Sequence, residues 1–233
     1  MQSELQSELQ SELQSELSNE EFPAKVTTKP AGEEGRYDRA IALFDAANAE
    51  DPNSELAGGQ ARPKELVYAE RMTAMLARLA PDASEVLRLA ARCQHIQRWK
   101  IPRGDYAMDR IGYLQWRKRL NKFHAQQAGD ILRDTGYDEA TINRVSALLK
   151  KESLKADADA QTLEDVVALV FLESYLAGFV STHGEYDPAK FADILAKTAK
   201  KMSPRGRAAA NTLIALPPNL VPVVRSAMEA PAA

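Results

Sequence analysis

The chain has 233 residues, 45% of them apolar and 27% charged, and 30 basic against 33 acidic side chains leave a formal charge of −3. This composition is typical of a globular protein, and the one cysteine, Cys93, excludes a disulfide framework or a cysteine zinc cluster. The longest apolar run, residues 166–172, is far shorter than the ~20 residues that span a bilayer, and the N-terminus lacks a secretory signal. We therefore expect a cytoplasmic protein with no membrane partner, and the oligomeric state is left open.

The two ends of the chain have a low-complexity composition. Residues 2–17 are four identical copies of Gln-Ser-Glu-Leu, and residues 18–35 hold prolines and glycines with few large apolar side chains. Leucines four residues apart drift around a helix, so a helix of these repeats alone is marginal. We expect residues 1–35 to be a disordered arm and linker, with a partner-binding helix as the alternative. Residues 36–215 are expected to form one domain, followed by a loose Pro/Ala-rich tail over 216–233.

Apolar residues at helical spacing recur through the rest of the chain. They predict helices over 37–50, 64–79, from Ser84 or Asp82 to before Pro102, and over 109–134, 138–151, 162–180, 188–201 and 206–215. Two prolines and the Gly58-Gly59 pair predict a loop over residues 51–63. Because no segment alternates with a period of two, we expect an all-α fold.

A basic and aromatic window is the most unusual feature of the sequence. Residues 92–122 contain nine basic and two acidic side chains, so this window has a charge of +7 in a chain whose total is −3. Both tryptophans of the chain, Trp99 and Trp116, lie in this window together with Tyr106 and Tyr113, and Phe123 follows it directly. Such a combination suits a nucleotide or exposed bases. The alternative is a solvated helix face with aromatic side chains packed inward. A second basic run over residues 197–207 could join the same face.

A few ionisable residues lie on otherwise apolar helices. His95 follows the apolar face of its helix, His124 lies within the long helix, and Glu164 and Asp165 begin the most apolar helix. Carboxylates that enter a buried helix need partners or a metal. They also suit a helix N-terminus, so a purely structural role is the alternative.

Several motifs in order are similar to those of a known but uncharacterised family. They include Gln94-His95-Ile96-Gln97-Arg98-Trp99, Gly112-Tyr113-Leu114-Gln115-Trp116-Arg117, Phe123-His124-Ala125 and Gln161-Thr162-Leu163-Glu164-Asp165. With these motifs the chain resembles the family called domain of unknown function 4202 over about residues 36–215. That resemblance implies no reaction.

The same order more distantly resembles the HD-domain superfamily of all-α, metal-dependent phosphohydrolases. The resemblance implies an HD-domain-like helical bundle in which His95, His124 and Asp165 hold a divalent metal (Mn, Fe, Zn or Mg), with Glu70 or Glu164 as general base. Together with the basic and aromatic window, it suggests a set of phosphate- or ligand-binding residues: Arg71, Arg98, Arg103, Arg117, Lys151, Trp99 and Trp116. The chain departs from the superfamily pattern, since Gln94-His95 replaces the His-Asp pair and lysines 150–151 occupy a later ligand position. Those lysines favour direct binding of an anion.

These features lead to three functional hypotheses. The first is a metal-dependent phosphohydrolase that acts on a nucleotide or another phosphorylated small molecule. The second is a non-catalytic HD-like module that binds RNA or an anionic ligand through the basic and aromatic face. The third is a scaffold that docks a partner protein.

Overall fold

The computed structural model describes residues 35–152, 156–183 and 187–229. The predicted arm of residues 1–35 lies outside these ranges, apart from Gly35. The described residues contain ten α-helices: α1 Arg36–Ala49, α2 Lys64–Leu79, α3 Glu85–Arg92, α4 Arg110–Asp134, α5 Glu139–Lys150, α6 Ala158–Val170, α7 Leu176–Thr182, α8 Pro188–Ala199, α9 Pro204–Thr212 and α10 Val221–Glu229. The expected all-α class is confirmed.

Short polar side chains begin most of these helices. Asp or Ser side chains accept a hydrogen bond from a backbone N–H in the first turn at six helix starts: Ser84, Asp109, Asp138, Asp157, Asp187 and Ser203. Each such cap satisfies an N–H that has no partner inside the helix. Gly136, with a φ of 87°, ends α4 as its position predicts.

A small hairpin replaces part of the loop expected over residues 51–63. Strand β1, Ser54–Ala57, pairs antiparallel with β2, Gln60–Pro63. Gly58 and Gly59 connect them with φ values of 60° and 80°, the conformation that a tight two-residue hairpin turn requires. The loop prediction was wrong here because strands of four mostly exposed residues leave no clear alternation in the sequence.

The expectation of a loose tail from residue 216 was also wrong. Helix α10 packs into the core, where Val224 is fully buried and Met228 is 4% exposed. Pro222 lies in the first turn of α10, where a missing N–H breaks no helical hydrogen bond. The prolines of this segment indicated a loop, although its apolar residues have helical spacing.

The most apolar predicted helix is central, but it is not continuous. In α6 the side chains of Val166, Leu169 and Val170 are fully buried, and α6 contacts α2, α3 and α9. A π-helical turn, Phe171–Tyr175, separates α6 from α7. Turns of this kind are rare and often lie at functional sites. None of the described helices combines the length and apolar character needed to cross a membrane.

Candidate anion-binding site

An open cleft of about 460 Å³ lies between the N-terminal end of α2, the chain that follows α3 and the start of α4. Its lining includes Glu65 together with four residues that the sequence predicted as ligand-binding: Arg98, Trp99, Arg103 and Trp116. The fold therefore brings these four predicted residues together.

The chain after α3 reaches this cleft through an unusual backbone conformation. Gln97 has a φ of 50°, and its N–H donates a 2.9 Å hydrogen bond to Oδ1 of the buried Asn48. Among the described residues, the other non-glycine residue with positive φ is Lys151, at the end of α5. This left-handed conformation costs about 1–2 kcal/mol for a residue with a Cβ, and such residues cluster at functional sites.

His95 lies behind the cleft, next to two of its lining residues, Glu65 and Arg98. Its ring stacks on Tyr68, with centroids 4.1 Å apart and planes 13° apart, and lies 5.8 Å from the ring of His124. Arg98 Nη1 lies 3.2 Å from His95 Nε2, and Glu65 Oε2 lies 3.5 Å from His95 Nδ1. The two predicted histidines are therefore neighbours in the structure.

Burial sets the protonation of this group. Burial, followed by the nearby Arg98, lowers the pKa of His95 well below its usual range and lowers that of His124 to about 3. Both imidazoles are therefore neutral at pH 7. Burial raises the pKa of Glu65 to about 7, although Arg98 opposes the shift. Glu65 thus exchanges a proton near neutral pH.

Three cationic side chains act electrostatically on the histidine pair. Arg98 and Arg117 both lower the pKa of His95 and His124, and Lys151 adds to the effect on His95. Burial lowers the pKa of Lys151 itself, while its ion pair with Glu164 counteracts that shift. Positive charge therefore exceeds negative charge around two uncharged rings.

The ring of Trp116 packs against two arginines and is almost fully buried, so it is not available to stack on a nucleotide base. It is 8% exposed, and its Nε1 donates a 2.9 Å hydrogen bond to the carbonyl of Ile101. The guanidinium carbons of Arg98 and Arg103 lie 4.7 Å and 5.8 Å from its ring centroid. Trp99 is half-buried and lines the cleft, so it is the tryptophan placed to contact a ligand.

Asp165 has partners away from the histidine pair. It is 2% exposed and accepts hydrogen bonds from the Ser203 N–H, the Ser203 hydroxyl and Gln161 Nε2. In the described parts of the chain no three His, Cys, Asp or Glu side chains are grouped so that they could hold a metal ion. The predicted His95–His124–Asp165 metal set and its divalent metal stay a prediction.

The two predicted general bases are both paired with cations. Glu70 receives two hydrogen bonds, of 2.9 and 2.6 Å, from Arg62, and Glu164 contacts Lys151. Arg71, a predicted phosphate ligand, pairs with Glu55 and lies 5.0 Å from the Tyr175 ring centroid. The structure therefore places Glu65, rather than Glu70, beside His95.

Sequence reasoning missed Glu65, although a signal was present. Glu65 precedes Tyr68 by three residues and Met72 by seven, so it lies on the apolar face of α2. A carboxylate on that face is buried and needs a partner. It was overlooked because the resemblance directed attention to Glu70.

Much of the remaining basic window faces solvent. Arg110, Lys118, Arg119 and Lys122 are exposed along α4, and Tyr113 is 46% exposed. Met108, Ile111 and Leu114 are exposed beside them. RNA as a partner of this face stays a prediction.

Comparison with known families gives one match. The model of a domain of unknown function, DUF4202, matches residues 38–224, which include every residue of the cleft. Comparisons with curated proteins and with solved structures gave no match.

Proposed function

We propose that this chain, which belongs to the family of the domain of unknown function DUF4202, binds a phosphorylated small molecule in the cleft described above. The observation that carries the proposal is that Arg98 and Arg103 line the cleft, while Arg98, Arg117 and Lys151 add positive charge near the neutral His95–His124 pair behind it.

Phosphate is the anion that this arrangement suits best. A guanidinium binds two phosphate oxygens at once through its planar N–H groups, and an ammonium adds a compact charge. Of the carboxylates beside the pair, Glu65 has a pKa of about 7 and Glu164 is already bound to Lys151. A doubly charged ligand group would therefore meet little opposing charge.

The size of the cleft supports a small ligand. Ligand pockets typically enclose about 300–1,000 Å³, and the cleft of about 460 Å³ lies within that range. Trp99 offers a ring against which the rest of the ligand can pack. A nucleotide or another phosphorylated metabolite fits this description.

The proposal is tested with inorganic phosphate, read out by calorimetry and by tryptophan fluorescence, because both tryptophans of the chain line the cleft. Arg117→Gln is expected to weaken phosphate binding about tenfold or more. Arg133→Gln is the control, since it removes the same charge from a side chain that is 52% exposed and pairs with Glu139. Equal affinities in the two variants, or no phosphate binding by the wild-type chain, would contradict the proposal.

A phosphohydrolase is the second candidate, favoured by the 3.5 Å approach of Glu65 Oε2 to His95 Nδ1. A carboxyl group with a pKa of about 7 suits general acid–base catalysis at neutral pH. The test measures phosphate release from p-nitrophenyl phosphate with and without Mn²⁺, and metal content by mass spectrometry in wild type and His124→Ala. One divalent ion per chain that the variant loses would restore the metal-dependent hypothesis. Release that needs no metal and is lost in Glu65→Gln would support Glu65 instead.

A further inference from the structure

Two buried acceptor atoms in the candidate site lack partners. Glu65 Oε2 and His124 Nε2 have no hydrogen bond within the described part of the chain, although the two residues are only 7% and 3% exposed. A buried polar atom without a partner costs about 1–3 kcal/mol, so such atoms are rare in proteins. Here both occur beside the ring of His95.

The hydrogen bonds of the two imidazoles fix which atoms can accept. Arg98 can only donate, so His95 Nε2 accepts from it and the proton of His95 lies on Nδ1, towards Glu65. The His124 ring is hydrogen-bonded to the backbone of Gln94, and this contact favours a proton on the His124 ring. His124 Nε2 has no hydrogen-bond partner in the described part of the chain. The neutral His124 ring therefore presents an acceptor lone pair at Nε2.

A phosphate group by itself does not satisfy these atoms. Its oxygens can accept hydrogen bonds from Arg98, which lines the cleft, and from Glu65 while that carboxyl group is protonated, but a fully ionised phosphate has no proton to give to His124 Nε2 or to ionised Glu65. An amine would supply donors, yet Arg98, Arg117 and Lys151 would repel it. Uncharged hydroxyl groups supply donors without that penalty.

We infer that the phosphorylated ligand of the proposed function carries hydroxyl groups next to its phosphate, as a sugar phosphate does, and that Glu65 Oε2 and His124 Nε2 accept hydrogen bonds from those hydroxyls. This inference rests on the proposed phosphate site. The polar outer lining of the cleft, with Asn53 and Ser54, agrees with a polyhydroxylated ligand.

The experiment compares inorganic phosphate, ribose 5-phosphate and adenosine 5′-monophosphate by calorimetry in the presence of EDTA. Wild type is expected to bind ribose 5-phosphate about tenfold more tightly than inorganic phosphate. His124→Leu removes an acceptor without changing the charge, so it should lose this preference and keep its affinity for inorganic phosphate. The control is Phe123→Leu, which removes an aromatic ring from the neighbouring position and should retain the preference. A second variant, Glu65→Met, which removes both carboxyl oxygens, is measured in case His124→Leu does not fold.

The outcomes separate the inference from the proposed function. If inorganic phosphate binds but ribose 5-phosphate binds no more tightly, the inference fails and the phosphate site stands. A preference that His124→Leu and Glu65→Met both keep also overturns the inference. If no phosphorylated probe binds, the proposed function itself fails. Tighter binding of adenosine monophosphate than of ribose 5-phosphate supports the inference and identifies a nucleotide as the source of the phosphorylated sugar, whereas exclusion of adenosine monophosphate identifies a free sugar phosphate.

Discussion

The backbone N–H of Ser203 donates a 2.8 Å hydrogen bond to Oδ1 of Asp165, across 38 positions of the chain. The Ser203 hydroxyl donates to Oδ2 of the same carboxylate and accepts a 3.0 Å hydrogen bond from the Gly206 N–H. This relationship fastens the N-terminus of α9 to the central helix α6.

Asp165→Ala is therefore expected to destabilise the fold. It removes a buried, multiply bonded carboxylate at a helix N-terminus and leaves the Ser203 N–H unpaired, at a cost of about 2–4 kcal/mol. Urea unfolding measures the loss against Asp130→Ala, whose side chain is 58% exposed. A change in metal content with unaltered stability would instead assign Asp165 to a metal.

Gly206 should tolerate no side chain while Asp165 is present. A Cβ at Gly206 would lie 2.5 Å from Cγ of Asp165, which is closer than atoms can approach. Gly206→Ala is expected to cost about 1–3 kcal/mol in the wild-type chain and less in the Asp165→Ala background. Additive costs in this double-mutant cycle would show that the clash does not arise at Asp165.

Glu65 should make stability depend on pH. Because burial raises the pKa of Glu65 from 4.5 to about 7, the folded state holds this proton more tightly than the unfolded state. Its contribution is complete below pH 4.5 and is lost as the pH rises through 7, by about 3 kcal/mol. Glu65→Gln stays neutral, so its stability relative to wild type should increase from pH 4.5 to 7 and then level off.

Comparing wild type with Glu65→Gln also cancels the opposite pH dependence of stability that comes from His124. The pKa of His124 falls to about 3, so its contribution is lost as the pH falls from 6.5 to 3, in wild type and in Glu65→Gln alike. Chemical unfolding at half-unit pH intervals gives the difference directly. A difference that does not change with pH would contradict the assignment of Glu65.

Lys151 should be coupled to Glu164 in stability. Their side chains are 20% and 10% exposed, so Lys151→Met leaves a nearly buried carboxylate without its partner, at a cost of about 3–5 kcal/mol. Methionine keeps a Cβ, so the cost of the left-handed backbone at this position is unchanged. The double variant with Glu164→Gln should recover much of the loss. If Lys151→Met unfolds at the same urea concentration as the wild-type chain, the ion pair contributes nothing to stability.

The C-terminal helix should be required for full stability. A chain that ends at Leu216 loses the buried side chains of Leu220, Val224 and Met228 from the core. Burial of three such side chains contributes several kcal/mol, at about 1.5–3 kcal/mol for each. Thermal unfolding is compared with a chain that ends at Glu229. Equal midpoints would support a loosely held tail.

The sequence by itself determined most of the helices, because their periodicity, caps and breaks are local. Helix α2 begins and ends where the spacing predicts, and Ser84, one of two expected N-caps, begins α3. The helix expected to continue to before Pro102 instead ends at Arg92. Local signals were insufficient where a pattern was short or masked by other residues, as in the four-residue strands around Gly58-Gly59 and in α10 behind its prolines.

The tertiary structure alone decided which ionisable groups meet. The sequence pointed to His95, His124 and Asp165 equally. In the structure α4 packs against the chain after α3 and brings the two histidine rings into contact, whereas Asp165 is hydrogen-bonded to Ser203. Likewise Glu65 and Glu70 are five residues apart on one helix, which places them about 140° apart around its axis. Only the neighbours packed against each face make Glu65 a partner of His95 and Glu70 a partner of Arg62. Long-range proximity depends on how helices pack, and that information is spread over the whole chain.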